Sequence, residues 1–338
     1  MSAILTIEPL GFPWRTQDPF LFCAYHRDEY PEGNGSMGVK SEQLVGRQIG
    51  SDFTIKNGFR MYHGSQIPGF PYHPHRGFET ITINKEGVVD HSDSLGAAGR
   101  FMAGDVQWMT AGAGVQHSEM FPMIHDDKPN HLEIFQVWLN LPAVSKMVPA
   151  HFKMLWKEDV PVLNQKDERG NGTQVEVVAG SLYGVKAVDP APNSWAANPD
   201  NAVGVYTVKM DSEASWKLPA THSKATRSLF FYSGSELSIN GEAVPANSLV
   251  EAKAGEDLQI VNSNAEARLL ILEGVPMNEP VVQHGPFVMN THEEIRETMK
   301  EYGRTQFGGW PWGEKEMVHP KEKGRFALHA DGREEVKG

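Results

Sequence analysis

Two short segments of this chain hold its most reactive side chains. "HPHRGFETITI" sets His73 and His75 one residue apart, and "GAGVQHSE" sets His117 and Glu119 in the same way. Along an extended strand, residues two apart point to the same side. Each pair therefore offers two donor groups to one face. Two imidazoles on an otherwise apolar face need hydrogen-bond partners or a metal. Imidazole together with carboxylate suits Fe(II), Cu, Ni, Mn or Zn. Four protein ligands in a tetrahedron would make a closed, structural zinc site. A metal that takes five or six ligands would keep positions open for substrate or dioxygen. The ligand types leave that choice open. If the first segment is one continuous strand, His73, His75, Glu79, Ile81 and Ile83 share a face, and Phe78, Thr80 and Thr82 line the other.

The elements that must position these residues read as short strands. Glycine and proline are frequent, at 33 and 22 residues. Between them lie "FETITI", "DVQWMT", "EIFQVWLNL", "VEVVAG", "GVYTVKM", "RSLFFY", "ELSI", "SLVEA", "DLQIVN" and "RLLILEG". Such spacing predicts all-β sandwiches or barrels. Asn240-Gly241 marks a two-residue hairpin turn. One helix is expected near the end, with Thr291 and Glu294 forming a capping box and Gly303 closing it.

The polar, proline-containing stretch 143–172 separates two halves that read as degenerate copies. Each runs strand, glycine turn, hairpin, Gly-acidic turn and closing strand. The second half keeps only His222 where the first has His73 and His75, and has nothing in place of "HSE". A metal is therefore expected in the first half alone. Trp108 and Met109 read as barrel packing. His91, His125, His131 and His151 fall outside the ligand pairs and read as surface residues or neighbours of the ligands.

Composition narrows the partners. The 338 residues are 40% hydrophobic and 22% charged, with a formal net charge of −12 and no basic run. Such a chain repels phosphate backbones, so direct nucleic-acid binding is not expected. No apolar run approaches the ~20 residues of a membrane helix. The N-terminus lacks a basic region followed by an apolar one, so a cytoplasmic location is expected. Cys23 is the only cysteine, which excludes an intrachain disulfide and reads as a buried small hydrophobe.

"HPHRGFETITI", "DHSDSLG", "GDVQWMTAGAGVQHSE" and "EPVVQHGPFVMNT", with "QDPFLF" near the start, resemble the signature segments of the pirin family within the cupin superfamily. The likeness runs in order from about Asp18 to Thr291, and suggests a bacterial member. It implies an all-β bicupin, two β-barrel (double-stranded β-helix) domains with a C-terminal helix and tail. Residues 1–145 would form the metal-bearing cupin, 146–172 a linker, 173–290 a cupin without metal, and 291–338 the helix and a tryptophan-containing tail. The family's ligands fall on His73, His75, His117 and Glu119. They would hold one divalent transition metal, Fe(II) first, with Cu, Ni, Mn, Co and Zn as alternatives. The wider cupin pattern fits less well, since seven residues separate Glu79 from Gly87 instead of six and Ala103 replaces a common proline. Glu79 is accordingly read as a buried hydrogen-bonding carboxylate.

The resemblance also implies an activity, the opening of flavonols such as quercetin by a 2,3-dioxygenase that releases carbon monoxide. Glu119 would be the catalytic base for the flavonol 3-hydroxyl, a resting-state ligand, or both. The alternative is a non-enzymatic metal-binding regulator of a protein partner, either a metabolic enzyme or a transcription factor. The expected partners are thus a small aromatic substrate or a protein, with no nucleic acid and no membrane. Trp310 and Trp312 are expected to dock on the body of their own chain, and the last residues, "HADGREEVKG", to be mobile.

Overall fold

Runs of β-branched and aromatic residues between glycine turns become strands throughout the computed structural model, which describes residues 2–338. Each of the ten stretches expected to be extended overlaps a strand. The chain divides into two compact units. One, here the apolar unit, comprises Met1–Ala24, Val137–Pro142 and Glu158–Asn278. The other, the histidine unit, comprises Tyr25–Gln136, Ala143–Lys157 and Glu279–Gly338.

The first ten strands in chain order are β1 (Ile4–Pro9), β2 (Phe20–Tyr30), β3 (Gly69–His75), β4 (Phe78–Glu86), β5 (Val88–Asp93), β6 (Ala98–Met102), β7 (Val106–Thr110), β8 (Val115–Met120), β9 (Asn130–Asn140) and β10 (His151–Leu155). Five of them form a sheet in the order β10-β7-β4-β9-β2. A second, six-stranded sheet runs from the tail strand Glu334–Lys337 through Arg325–Leu328, then β6-β5-β8-β3. Residues of both sheets, among them Val89, Phe101, Ile134, Phe152 and Met154, share one buried cluster. Residues 146–172 contain β10 and the strand Val162–Lys166.

The expectation of one strand from His73 to Ile83 is corrected. β3 and β4 are separate strands in different sheets, and the chain turns between them at Arg76-Gly77. Gly77 has φ +86°, and a Cβ there would stand 1.9 Å from the carbonyl oxygen of Val288. Only glycine fits both constraints. The turn is braced from three sides. Lys146 Nζ donates to the Gly77 carbonyl at 2.8 Å, Arg76 Nε donates to the Ala113 carbonyl at 2.7 Å, and Arg76 pairs with Glu301 at 2.9 Å. His73 and His75 keep their common face, whereas Glu79 goes with the other sheet.

The apolar unit has a seven-stranded sheet in the order β1, Ser248–Lys253, Thr226–Ser233, Ala267–Gly274, Gly204–Met210, Gly172–Ala179, Val162–Lys166. Its four-stranded sheet runs Ser215–Leu218, Leu258–Asn262, Glu236–Ile239, Glu242–Pro245. Val177, Val208, Trp216, Leu229, Phe231, Ile239 and Leu269 fill its interior. His222 lies exposed on a turn outside that core. The hairpin at Asn240-Gly241 has φ of 50° and 83°, the left-handed pair such a turn demands. Cys23 is fully buried, and burial pushes its thiol above the ordinary range.

The C-terminal helix, His292–Thr305, starts at the expected capping box. It runs past Gly303 and ends at Gln306, whose left-handed conformation caps it. The tail then docks on the histidine unit, as expected. The mobility expected of its last residues is corrected, because Arg325–Leu328 pairs with β6 and Glu334–Lys337 pairs with Arg325–Leu328. Arg325 makes a bidentate ion pair with Asp105 at 2.6 and 2.8 Å, and Trp156 Nε1 donates to Glu335 at 2.8 Å. Fully buried Arg100 grips Asp90 with two bonds of 2.7 Å and donates to the carbonyls of His319, Pro320 and Lys323. Trp310 stacks on Tyr72, and Trp312 Nε1 donates to the Asp93 carbonyl at 2.8 Å.

Candidate metal centre

Strand register brings the two segments together. β3 and β8 are antiparallel neighbours with His73 directly opposite His117, after a bulge between Phe70 and His73. Directly opposed residues of such a pair point to the same face. His75 and Glu119 follow from the two-residue period, so all four proposed ligands look inward from adjacent strands. The ligand nitrogens of His73, His75 and His117 lie within 4.8 Å of one another. His75 and His117 are buried and His73 is half-buried, so the cluster is approached from the His73 side.

The hydrogen bonds select the tautomers. His73 Nδ1 lies 3.0 Å from the Pro71 carbonyl, and His75 Nδ1 lies 3.4 Å from the Pro286 carbonyl. A carbonyl only accepts, so both Nδ1 atoms hold the proton and both Nε2 atoms present lone pairs. Those two Nε2 atoms are 3.1 Å apart, and His117 Nε2 is 3.1 Å from His73 Nε2. Opposed lone pairs at that distance repel unless a cation lies among them. Nitrogens about 2.1 Å from a metal stand roughly 3.0 Å apart at right angles, so the donor set fits a divalent transition metal. Burial lowers all three imidazoles, His73 to about 4 and the other two well below the usual value. They are therefore neutral at physiological pH, the state that binds a metal.

Glu119 lies beside this group, not within its tightest set. Its Oε2 is 3.8 Å from His117 Nε2. Oε1 accepts from Thr82 Oγ1 at 3.1 Å, and Oε2 accepts from Gln136 Nε2 at 2.6 Å. Burial raises its pKa above the ordinary carboxylate value. Glu79 is fully buried on β4, in the other sheet from the histidines, and accepts from Thr110 at 2.6 Å.

Sequence reasoning left His91 among the residues outside the ligand pairs. It lies on β5 opposite Glu119, fully buried, stacked on Phe152 and held between Asp93 Oδ2 and Gln107 Nε2 at 3.3 Å each. Its place on the inner face follows from long-range register, which no local pattern reveals. In front of His73 stands an aromatic wall. Phe70 is 6.2 Å from His73 by ring centroid, and His63 and Phe53 are 5.9 and 6.4 Å from Phe70. Phe53 is 42% exposed.

Comparison with known proteins agrees with this geometry. The family model described as Pirin matches residues 13–139, and the one described as Pirin C-terminal cupin domain matches residues 205–308. A Pseudomonas aeruginosa protein that bears the provisional name quercetin 2,3-dioxygenase is 38% identical over 241 residues, covering 70% of this chain and 79% of that protein. Human pirin is 30% identical over 305 residues, 82% of this chain and 91% of its own. Among solved structures, a quercetin 2,3-dioxygenase from Acinetobacter baumannii is similar with a TM-score of 0.70 and 25% identity, covering 90% of this chain and 98% of that one.

Proposed function

The chain belongs to the pirin family of the cupin superfamily, and on that footing we propose that it is a metal-dependent dioxygenase of the quercetin 2,3-dioxygenase type. Its substrate would be a flavonol, opened at the heterocyclic ring with both atoms of dioxygen retained and one carbon released as carbon monoxide. The observation that carries this reading is the convergence of three neutral imidazoles on one point beside a buried carboxylate. His73, His75 and His117 would hold the metal, with Glu119 as a fourth ligand in the resting protein. Iron is the first choice, and Cu, Ni, Mn, Co or Zn are alternatives. When bound, the metal supplies Lewis acidity and a redox centre for dioxygen.

The chain's own residues do the rest. Glu119, a buried carboxylate beside the three imidazoles, takes the proton of the flavonol 3-hydroxyl. Thr82 and Gln136 donate to its two oxygens and hold it in place. Phe70 and Phe53 offer flat apolar faces to a three-ring substrate on the open side of His73. The test is to load the purified protein with each metal in turn and follow the visible absorbance of quercetin in air, with carbon monoxide measured alongside. At least one metal form should consume quercetin and release the gas. If none does, the dioxygenase reading for this substrate fails.

A second reading, a metal-binding regulator that acts on a protein partner, draws on one observation. Val45, Ile49, Phe53 and Ile55 are large, apolar and exposed within one short segment, and such a cluster marks an interaction surface. Under this reading Phe53→Ser with Ile55→Ser abolishes partner capture and leaves metal content unchanged.

A further inference from the structure

The apolar unit has no histidine cluster among its described residues, yet it contains a cavity of about 350 Å³. That volume lies within the range of small-molecule sites. Val188, Pro190, Ala196, Pro199 and Val203 give it apolar walls. Lys186 and Asp189, also on its lining, pair with each other at 2.8 Å. Two polar side chains reach it from the unit's interior, Tyr206 and Glu273, which are only 1% and 3% exposed.

These two are held by a built arrangement. Arg227 Nε donates to Glu273 Oε2 at 2.8 Å, and its other nitrogens donate to the carbonyls of Glu256 and Pro219. Burial pulls the Glu273 carboxyl upward, and the Arg227 charge and hydrogen bond oppose that pull. The Tyr206 hydroxyl has one proton and two acceptors, the Ser181 carbonyl at 3.2 Å and Glu273 Oε1 at 3.4 Å. The one proton is shared between two long contacts, so Glu273 Oε1 keeps a lone pair able to accept a further donor from the cavity. The hydroxyl's seat also depends on missing side chains. A Cβ at Gly204 would lie 2.5 Å from it, and one at Gly180 would lie 3.1 Å from it.

We propose that this cavity binds a small organic molecule with an apolar body and one neutral hydrogen-bond donor, such as a phenolic hydroxyl, which Glu273 Oε1 accepts. Arg227 already balances the carboxylate, so a neutral donor suits the site better than a cation. Besides the rim pair, the lining offers the polar side chains of Ser181, Asn198 and Thr221, none of which carries a charge.

Phenol and anisole are the probes, alike in ring and oxygen, with anisole carrying a methyl group in place of the donor proton. The full-length, methyl-labelled protein is titrated with each, following the signals of Ala202 and Val203. Phenol should shift them saturably, and anisole should bind at least tenfold more weakly, the usual worth of leaving a buried acceptor unpaired. Ala196→Phe fills the cavity without touching the Tyr206–Glu273–Arg227 group, and should weaken phenol binding at least tenfold while metal content stays the same. Replacing His73 and His75 together by alanine should leave phenol binding intact, which separates this site from the metal centre. Anisole binding as well as phenol would overturn the proposal. So would shifts that persist unchanged in Ala196→Phe, or no saturable shift at tens of millimolar phenol.

Discussion

Glu119 has two roles open to it, ligand and base, and glutamine separates them. The amide keeps the size and one oxygen but loses the charge and the basicity. Three imidazoles remain, so Glu119→Gln should retain most of its metal while flavonol turnover falls by ~10²–10⁴, the usual worth of a positioned base. His75→Ala should lose metal and turnover together, as read by metal analysis beside the quercetin assay. Turnover at the parent rate in Glu119→Gln would end the base assignment. A different histidine adds to the acid sensitivity. His26 is buried, its Nδ1 lies 2.8 Å from the Tyr62 hydroxyl, and Tyr62 in turn donates to Asp28. Burial first, and then the Arg60 charge, lower its pKa from 6.5 to about 3. The unfolded chain therefore binds the extra proton between those values, so stability is full above 6.5 and falls as the pH drops through that window. The urea midpoint of metal-free protein should be lower at pH 5 than at pH 7, and His26→Asn should reduce that difference, the buried His73, His75 and His117 supplying the remainder. An equal slope in the variant would assign the effect to other groups. At this scale the shared faces of the two histidine-bearing pairs were legible because a two-residue period needs no knowledge of the fold. The carbonyls of Pro71 and Pro286 that select the tautomers were not, since one of them comes from a distant part of the chain.

Strand runs, the Asn240-Gly241 turn and the Thr291–Glu294 capping box were readable because each is a local preference repeated by tertiary packing. The break between β3 and β4 was hidden for the opposite reason. Thr, Ile and Phe continue the extended pattern across it, and only the approach of the Val288 carbonyl to Gly77 shows that the chain must turn there. The tail strands were hidden as well. "EEVK" looks like solvated chain until Arg325–Leu328 gives it an edge to pair with. Removing residues from Gly308 onward would uncover the β6 edge and leave Arg100 and Asp105 without their tail partners. Buried charges stripped of partners are costly, and an open edge invites association. The truncated protein should melt several degrees lower and aggregate on light scattering, with metal per folded chain little changed. An unchanged melting temperature and association state would make the tail a free appendage.

Across the whole molecule, two similar halves have met opposite demands. One interior keeps imidazoles and a carboxylate, and the other is filled with valine, leucine and phenylalanine. Metal analysis should therefore give at most about one equivalent per chain, lost when His73 and His75 are both replaced by alanine. Two tightly held equivalents would show that the second half binds metal too. Among the described residues no helix is long and apolar enough to cross a membrane. The family was legible from sequence because its long motifs are the strands and turns that make the site. The substrate was not, because it depends on the side chains in front of His73, which those motifs do not include.

The division of the chain into interleaved pieces sets an order on its synthesis. The apolar unit needs β1 from the start of the chain, yet its last segment ends at Asn278. The histidine unit begins at Tyr25, but its sheet is completed only by Glu334–Lys337. Leaving the ribosome, His73, His75 and His117 emerge well before Glu334–Lys337, the strand that completes their unit's sheet. The histidine unit, most of whose strands precede those of the apolar unit, is thus the later of the two to finish.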